Sequence, residues 1–293
     1  MRRRVSRRNQ QLTQQAYMKK VLTIAGSDSG GGAGIQADIK TISALGCYAS
    51  SAITAVTVQN TLGVSGVHVV PTDIVEAQID AVLSDIGADA VKIGMLFSAD
   101  IVKAVARQLK AHEITSVVLD PVMVSTSGHT LFQSEAVTTL ISDLIPLARI
   151  ITPNVPEAEV LLGGAKITEG SQLPEAAKEL SQRFGVSVLL KAGHIEADTL
   201  VDILYCAEDL QLYELPALRV DTPNTHGTGC TMSSAIAAFL AKGFTLPEAV
   251  KGAKDYVNNA IISGANYSIG HGHGPVNHFY QLPNNSPQIL LSQ

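Results

Sequence analysis

Tryptophan is absent from the 293 residues, and phenylalanine and tyrosine together bring the aromatics to only 4%. A surface that stacks unpaired bases on exposed rings has little to be built from. Cysteine is scarce as well: Cys47, Cys206 and Cys230 are too few and too scattered for a disulfide framework, and no Cys-x-x-Cys pair marks a zinc site. A reducing compartment, the cytoplasm, is the expectation. No run approaches the ~18 uninterrupted apolar residues of a spanning helix. Residues 1–17 hold five Arg but lack the apolar core of a secretory signal. The expectation is a soluble, non-exported protein with no membrane partner.

Clustered positive charge is also missing from the body of the chain. The net charge of −5 includes that basic N-terminal stretch, so the remainder carries 16 basic against 26 acidic groups, a net of −10. A nucleic-acid platform needs the opposite balance, and no nucleic-acid partner is expected. Residues 1–17 read as a disordered basic extension, dispensable for folding, because Met18 opens the first strand-like run, MKKVLTIAG.

What is present is apolar and regularly punctuated. With 46% hydrophobic and 16% charged residues, the composition suits one large globular domain. Short β-rich runs alternate with segments of helical period, the pattern of an α/β fold with a mainly parallel sheet covered by helices. Strands are expected at 21–25, 90–93, 116–120, 148–152, 186–191 and 200–205, and helices at 35–45, 72–86, 98–112, 134–145, 155–162 and 172–184. Residues 49–58 and 64–70 are β-branched and small, and the five residues between them fit a hairpin-like excursion, a flap over a site. No fixed-period repeat or linker divides the chain.

Two glycine-rich loops precede helices. In the second, Asn224-Thr225-His226-Gly227-Thr228-Gly229-Cys230 runs into the small-residue helix TMSSAIAAFLAKG. Unpaired N–H groups and the positive end of a helix dipole make Gly227 to Cys230 a cradle for phosphate oxygens, or simply a close packing of helix on sheet. Cys230 at that N-terminus is expected to have a lowered thiol pKa, whereas Cys47 and Cys206 read as inert packing.

The first loop, Gly26 to Gly34, contains Gly32-x-Gly34-x-x-Ala37, a formal match to the dinucleotide fingerprint. Ser27 to Gly31 intervene after the strand, however, and the second strand ends near Val58-Gln59-Asn60 without an acid, which argues against a nicotinamide cofactor. The phosphate-binding G-x-x-x-x-G-K-[ST] motif is missing too. Asp28 reads as a turn cap or a ligand, and Asp38, opposite Ile35, Ile39 and Ile42 on the helix, as a solvated or functional acid.

Asp120, Asn154 and Glu157 follow strand ends and can hold a hydrated Mg²⁺ through oxygen. Lys191 at another strand end can offset phosphate charge or be a plain surface lysine. His271, His273 and His278 lack helical pairing, so a structural C-terminal segment is expected there rather than zinc.

The segments LTIAGSDSGGGAGIQADIKT, ITAVTVQNTLGV, KIGML, VVLDPVM, ITPNVPEAEVLL, KAGH, NTHGTGCTMSSAIAA and GHGHGPVNHF together resemble the hydroxymethylpyrimidine/phosphomethylpyrimidine kinases of thiamine biosynthesis. These belong to the ribokinase-like superfamily, which also includes pyridoxal kinases. The resemblance covers about residues 19–280 and implies a ribokinase-like α/β domain over 18–280, a tail over 281–293 and no fused synthase domain beyond. It implies a kinase using ATP and Mg²⁺ on a small-molecule substrate. Asp38, Gln59, Met95 and Val122 look like the pyrimidine pocket, with Gln59 the polar reader of the ring.

Lys191, Thr225, His226 and Asn154 look like the ATP site, with Gly227, Thr228 and Gly229 as the anion hole and Asp120 and Glu157 as the metal rim. Cys230 stands where most ribokinase-like enzymes carry an Asp base and inherits that role. A pyridoxal kinase of the same fold and a non-catalytic pyrimidine-binding module remain the alternatives. The exposed strand pair at 49–70 implies a homodimer through the flap.

Overall fold

The computed structural model describes residues 17–123, 134–193 and 198–282. Most of the basic extension, most of the C-terminal tail and His194 therefore lie outside the described residues. Tyr17 itself is not detached, since its hydroxyl donates to Asp89 at 3.1 Å. Among the described residues no helix is long and apolar enough to cross a membrane.

Among the described residues nine strands, numbered in chain order, form one sheet in the order β3-β2-β1-β4-β5-β6-β7-β8-β9. The parallel centre comprises β1 (Lys20–Asp28), β2 (Tyr48–Asn60), β4 (Ala90–Ile93), β5 (Val117–Leu119), β6 (Ile150–Ile151) and β7 (Ser187–Leu190). At one edge β3 (Gly63–Val69) pairs antiparallel with β2, and at the other β8 (Thr199–Cys206) and β9 (Gln211–Leu218) run antiparallel. The expected flap is thus only half separate: β2 lies beside β1 from Tyr48 to Thr57, and only its far end with β3 projects.

Helices cover both faces, which explains why the central strands read as unbroken apolar runs. Side chains alternate across each strand, so Leu22, Ile24, Val91, Ile93, Val117 and Leu119 enter one core. That core is closed by α2 (Thr72–Ala81), α3 (Ala99–Ala111), α4 (Ser134–Thr139), α5 (Val155–Leu161) and α6 (Leu173–Phe184). Val21, Ala90, Val118, Ile150 and Leu189 enter the other, under α1 (Gly34–Ala44), α7 (Thr228–Ala241) and α8 (Leu246–Gly264).

Helix starts follow local capping chemistry. Ser98 accepts the Ile101 N–H, and Asn154 and Thr245 each form a reciprocal capping box with the Glu three residues on. The helix expected over 134–145 is α4 followed by a π turn at Leu140–Leu144, and α2 likewise ends in a π turn at Val82–Ile86. Strand β9 was not expected, because its alternation is blurred by exposed Leu212 and Leu218 and broken by Pro216. At the sheet edge that proline costs little, since only one side of the strand must donate to a neighbour.

Candidate active site

Period two along the strands determines which chemistry meets. Lys92 shares the face of Ala90, Asp120 follows Val118 by two residues, Thr152 follows Ile150, and Lys191 follows Leu189, so all four rise on the α1/α7/α8 side near the carboxyl ends of their strands. A cleft of about 670 Å³ opens there, as expected for an open α/β sheet.

The N-terminus of α7 forms one wall. Gly227 adopts φ +82, and its residue is wedged against the first glycine loop so tightly that a Cβ would overlap the Gly32 carbonyl. The approach to this turn is fixed by buried Asn224, whose amide donates to the carbonyls of Gly264, Ala265 and Tyr267 at 2.8–3.2 Å. His226 N donates to Gly274 O at 3.0 Å, and His273 N to Thr61 O at 3.0 Å. Buried His278 meets the Thr231 hydroxyl at 3.2 Å. The histidine-rich segment is therefore a structural strap between α7 and the flap tip.

The first glycine loop is organised by Asp28. Its carboxylate accepts the N–H groups of Gly30, Gly32 and Ala33 at 2.7, 3.0 and 2.8 Å and lies 3.0 Å from His226 Nε2. Burial alone would raise this carboxyl, but the His226 hydrogen bond and the Ala33 and Gly30 amides outweigh it and hold it below the ordinary carboxylate range. Asp28 is thus a turn cap that ties two loops together. Gln59 Nε2 sits 3.3 Å from the same His226 nitrogen, so the far end of β2 is joined to this contact.

At the strand ends, Lys191 Nζ pairs with Asp120 Oδ1 at 3.0 Å, and Thr152 Oγ1 donates to the same oxygen at 3.1 Å. Asp120 Oδ2 lies only 3.5 Å from where a Cβ on Gly229 would stand. Burial would lower the Lys191 ammonium, yet Asp120 and Glu157 more than offset it and hold it above the usual lysine value. Burial pushes the Glu157 carboxyl up to about 7 against the pull of Lys191, with the Asp120 charge adding to the rise. Asn154 spends its side-chain oxygen on the Glu157 N–H, so it acts as a helix cap.

Cys230 corrects the expectation of a lowered thiol. Burial pushes it up to about 11, and neither the Lys92 cation nor the Gly34 N–H at the start of α1 compensates, while Asp38 and Asp120 add to the rise. Desolvation of a thiolate here exceeds what a helix dipole returns.

The cleft lining gathers Gln59, Met95, Asp120, Val122, Asn154, Glu157, Lys191 and the whole stretch from Thr225 to Cys230. Asp38 is the exception. It is fully buried on the inner side of α1, its carboxylate held by Lys92 Nζ at 2.8 Å, Ser234 Oγ at 2.7 Å and Thr23 Oγ1 at 2.6 Å, and it does not reach the cleft. The residue sequence reasoning missed is Lys92, though a lysine inside the apolar strand AVKI is itself a signal. Also unassigned were Asp202 and Lys254, paired at 2.6 Å at the end of the cleft lined by Leu200, Val220 and Val257.

Residues 28–277 match the family described as phosphomethylpyrimidine kinase. A hydroxymethylpyrimidine/phosphomethylpyrimidine kinase of Rhizobium meliloti is 48% identical over 89% of this chain and 97% of its own length. A thiamine biosynthesis bifunctional protein of Geobacter sulfurreducens is 51% identical over 88% of the chain. The chain spans about half the length of that bifunctional relative, 52%. Among solved structures, an ADP complex of Bacillus subtilis pyridoxal kinase superposes with a TM-score of 0.83 at 37% identity, over 90% of this chain and 99% of the other.

Proposed function

The chain belongs to the phosphomethylpyrimidine kinase family, and from that premise we propose that it transfers the γ-phosphoryl group of ATP to hydroxymethylpyrimidine and then to the resulting monophosphate, supplying the pyrimidine diphosphate for thiamine biosynthesis. The observation that carries this reading is the convergence, in one cleft, of the Gly227–Gly229 turn, the Lys191–Asp120 pair and Cys230. A binding module without turnover would have no use for a γ-phosphate cradle.

In the reaction, the substrate hydroxymethyl oxygen attacks the γ-phosphorus in line, the bond to the β-phosphate oxygen breaks, and ADP departs. The N–H groups at the start of α7 and the Lys191 ammonium stabilise the charge on the transferring group. Cys230 takes the proton that the attacking hydroxyl must lose. Because the transition state is loose, that proton leaves late, and a thiol whose pKa is near 11 can still receive it once ionised.

Asp120 and Glu157 offer hard oxygen donors suited to Mg²⁺, with Asp120 Oδ2 not engaged by Lys191 or Thr152. Asp120 and Glu157 would be the protein's own ligands to the ion. When bound, Mg²⁺ neutralises triphosphate charge. Residues 18–280 act in this reading as one kinase domain. Exposed Val56, Val58 and Val67 on the flap give it an apolar face for a homodimer, which light scattering on the purified protein checks.

The test is ATP-dependent phosphorylation of hydroxymethylpyrimidine, its monophosphate and pyridoxal at equal concentrations. Turnover of both pyrimidines with ATP is expected; dominance of pyridoxal, the second reading favoured by the superposition above, overturns the substrate assignment. Within the same assay, Gln59→Ala is expected to weaken pyrimidine binding by about 1–3 kcal/mol, more than it weakens ATP binding, because ring donors and acceptors lose their partner. An unaltered pyrimidine KM removes Gln59 from the acceptor pocket.

A further inference from the structure

The buried ion pair under α7 has no part in the reaction as described so far, although a pair of this kind is expensive to keep. Lys92 and Asp38 are each 0% exposed, and both carboxylate oxygens sit 2.8 Å from the ammonium. Apolar replacement of such a pair is often neutral or stabilising, so stability alone is a poor reason for it.

Its location is more telling than its strength. Lys92 leaves β4 toward α1 and α7, beside Thr23 on the neighbouring strand β1. Gly94 leaves room for it, since a Cβ there would come within 2.9 Å of the ammonium. Asp38, on α1, is also gripped by Ser234 Oγ at 2.7 Å. Ser234 lies four residues after Cys230 on α7, so both residues share one helix face. Ser234 and Asp38 thereby lock the ammonium beneath the face that carries the thiol, and Lys92 and Cys230 border the same cleft.

We propose that Lys92, held in place by Asp38, which Ser234 and Thr23 grip in turn, is a positioning residue for Cys230, supplying the fixed positive charge that favours the thiolate, which then takes up the substrate proton and returns to the neutral thiol. Lys92 is fully buried with its ammonium engaged by Asp38, and it acts through Cys230. The charged groups around the thiol are Lys92 on β4, Asp38 on α1, Asp120 after β5 and Lys191 after β7, together with the Gly34 amide that begins α1. The Lys92 cation favours the thiolate, and the Asp38 charge opposes it. This inference rests on the reading of Cys230 as the proton acceptor.

The test titrates the thiol without turnover. The rate of iodoacetamide alkylation at Cys230 is followed against pH by peptide mass spectrometry, which separates it from buried Cys47 and Cys206. Asp38 is the counter-ion that keeps buried Lys92 charged, so the unaltered protein is the cation-bearing reference, and Lys92→Met/Asp38→Asn removes the cation while leaving no unpaired charge in the core. The thiol midpoint is expected to lie higher in the double variant than in the unaltered protein, by up to about one pH unit, because the Lys92 attraction lost exceeds the Asp38 repulsion lost with it. The rising limb of kcat against pH is expected to move upward with the midpoint, at an unchanged KM for ATP.

Equal midpoints with and without the cation overturn the proposal and leave the pair a structural tie between α1, β4 and α7. A midpoint shift with no movement of the kcat profile overturns instead the assignment of Cys230 as the proton acceptor.

Discussion

Cys230→Ala is expected to lower kcat by roughly 10²–10⁴, the usual worth of a positioned proton acceptor, with the lower end favoured by a loose transition state. The KM for ATP should stay nearly constant, because the cradle is made of backbone groups and Lys191. The pH dependence sharpens the expectation. A thiol at about 11 is mostly protonated at neutral pH, so kcat of the unaltered enzyme should climb with pH above 7, approaching tenfold per unit as the thiolate fraction grows. The alanine variant should lose that climb. Cys230→Asp should recover part of the rate and show a flatter profile across the same range, since a carboxylate beside Lys92 is already ionised there. Near-full kcat for Cys230→Ala at saturating substrates would sink the assignment and leave the α7 amides, Lys191 and the metal to carry the chemistry.

What the sequence revealed of this site was governed by where the chain leaves the sheet. Asp120 and Lys191 stand directly after apolar strands and Asn154 three residues beyond one, so their arrival at the carboxyl rim follows from the topology once the strands are parallel. Glycines before a small-residue helix likewise announce an anion cradle. Asp38 was misread because α1 was treated as having one buried stripe. The helix lies between the sheet and α7, so Ala37, Asp38 and Thr41 are buried along with Ile35 and Ile42. A helix enclosed on two sides gives an apolar pattern too broad to orient a single acid.

The thiol pKa failed for a different reason. A helix N-terminus is visible in sequence, whereas the desolvation that outweighs it depends on what packs over the helix. Strand β9 was lost because edge strands with one solvated face tolerate the proline and polar residues that ordinarily end a strand.

Gly227→Ala is expected to be the most damaging small substitution in the protein. At φ +82 an L side chain costs about 1–2 kcal/mol on backbone grounds alone. Here the added Cβ also meets a backbone carbonyl, that of Gly32, which cannot swing aside like a flexible side chain. Either the α7 N-terminus or the Asp28-organised loop must move, and each carries groups aimed at the phosphates. Loss of one well-placed oxyanion donor typically costs about 10²–10³ in rate, and several N–H groups share this turn, so kcat/KM for ATP should fall by at least that much. The melting temperature should drop by several degrees.

Gly229→Ala separates the two effects. Its Cβ would stand 3.4 Å from Lys191 Nζ and 3.5 Å from Asp120 Oδ2, ordinary contact distances, and its φ is not positive. That variant should keep its melting temperature while losing ATP affinity, because the methyl group enters the cradle without straining it. If Gly227→Ala retains both its melting temperature and its kcat/KM, the turn is more pliable than its packing against Gly32 implies, and the rigid N–H cradle cannot be the source of the rate.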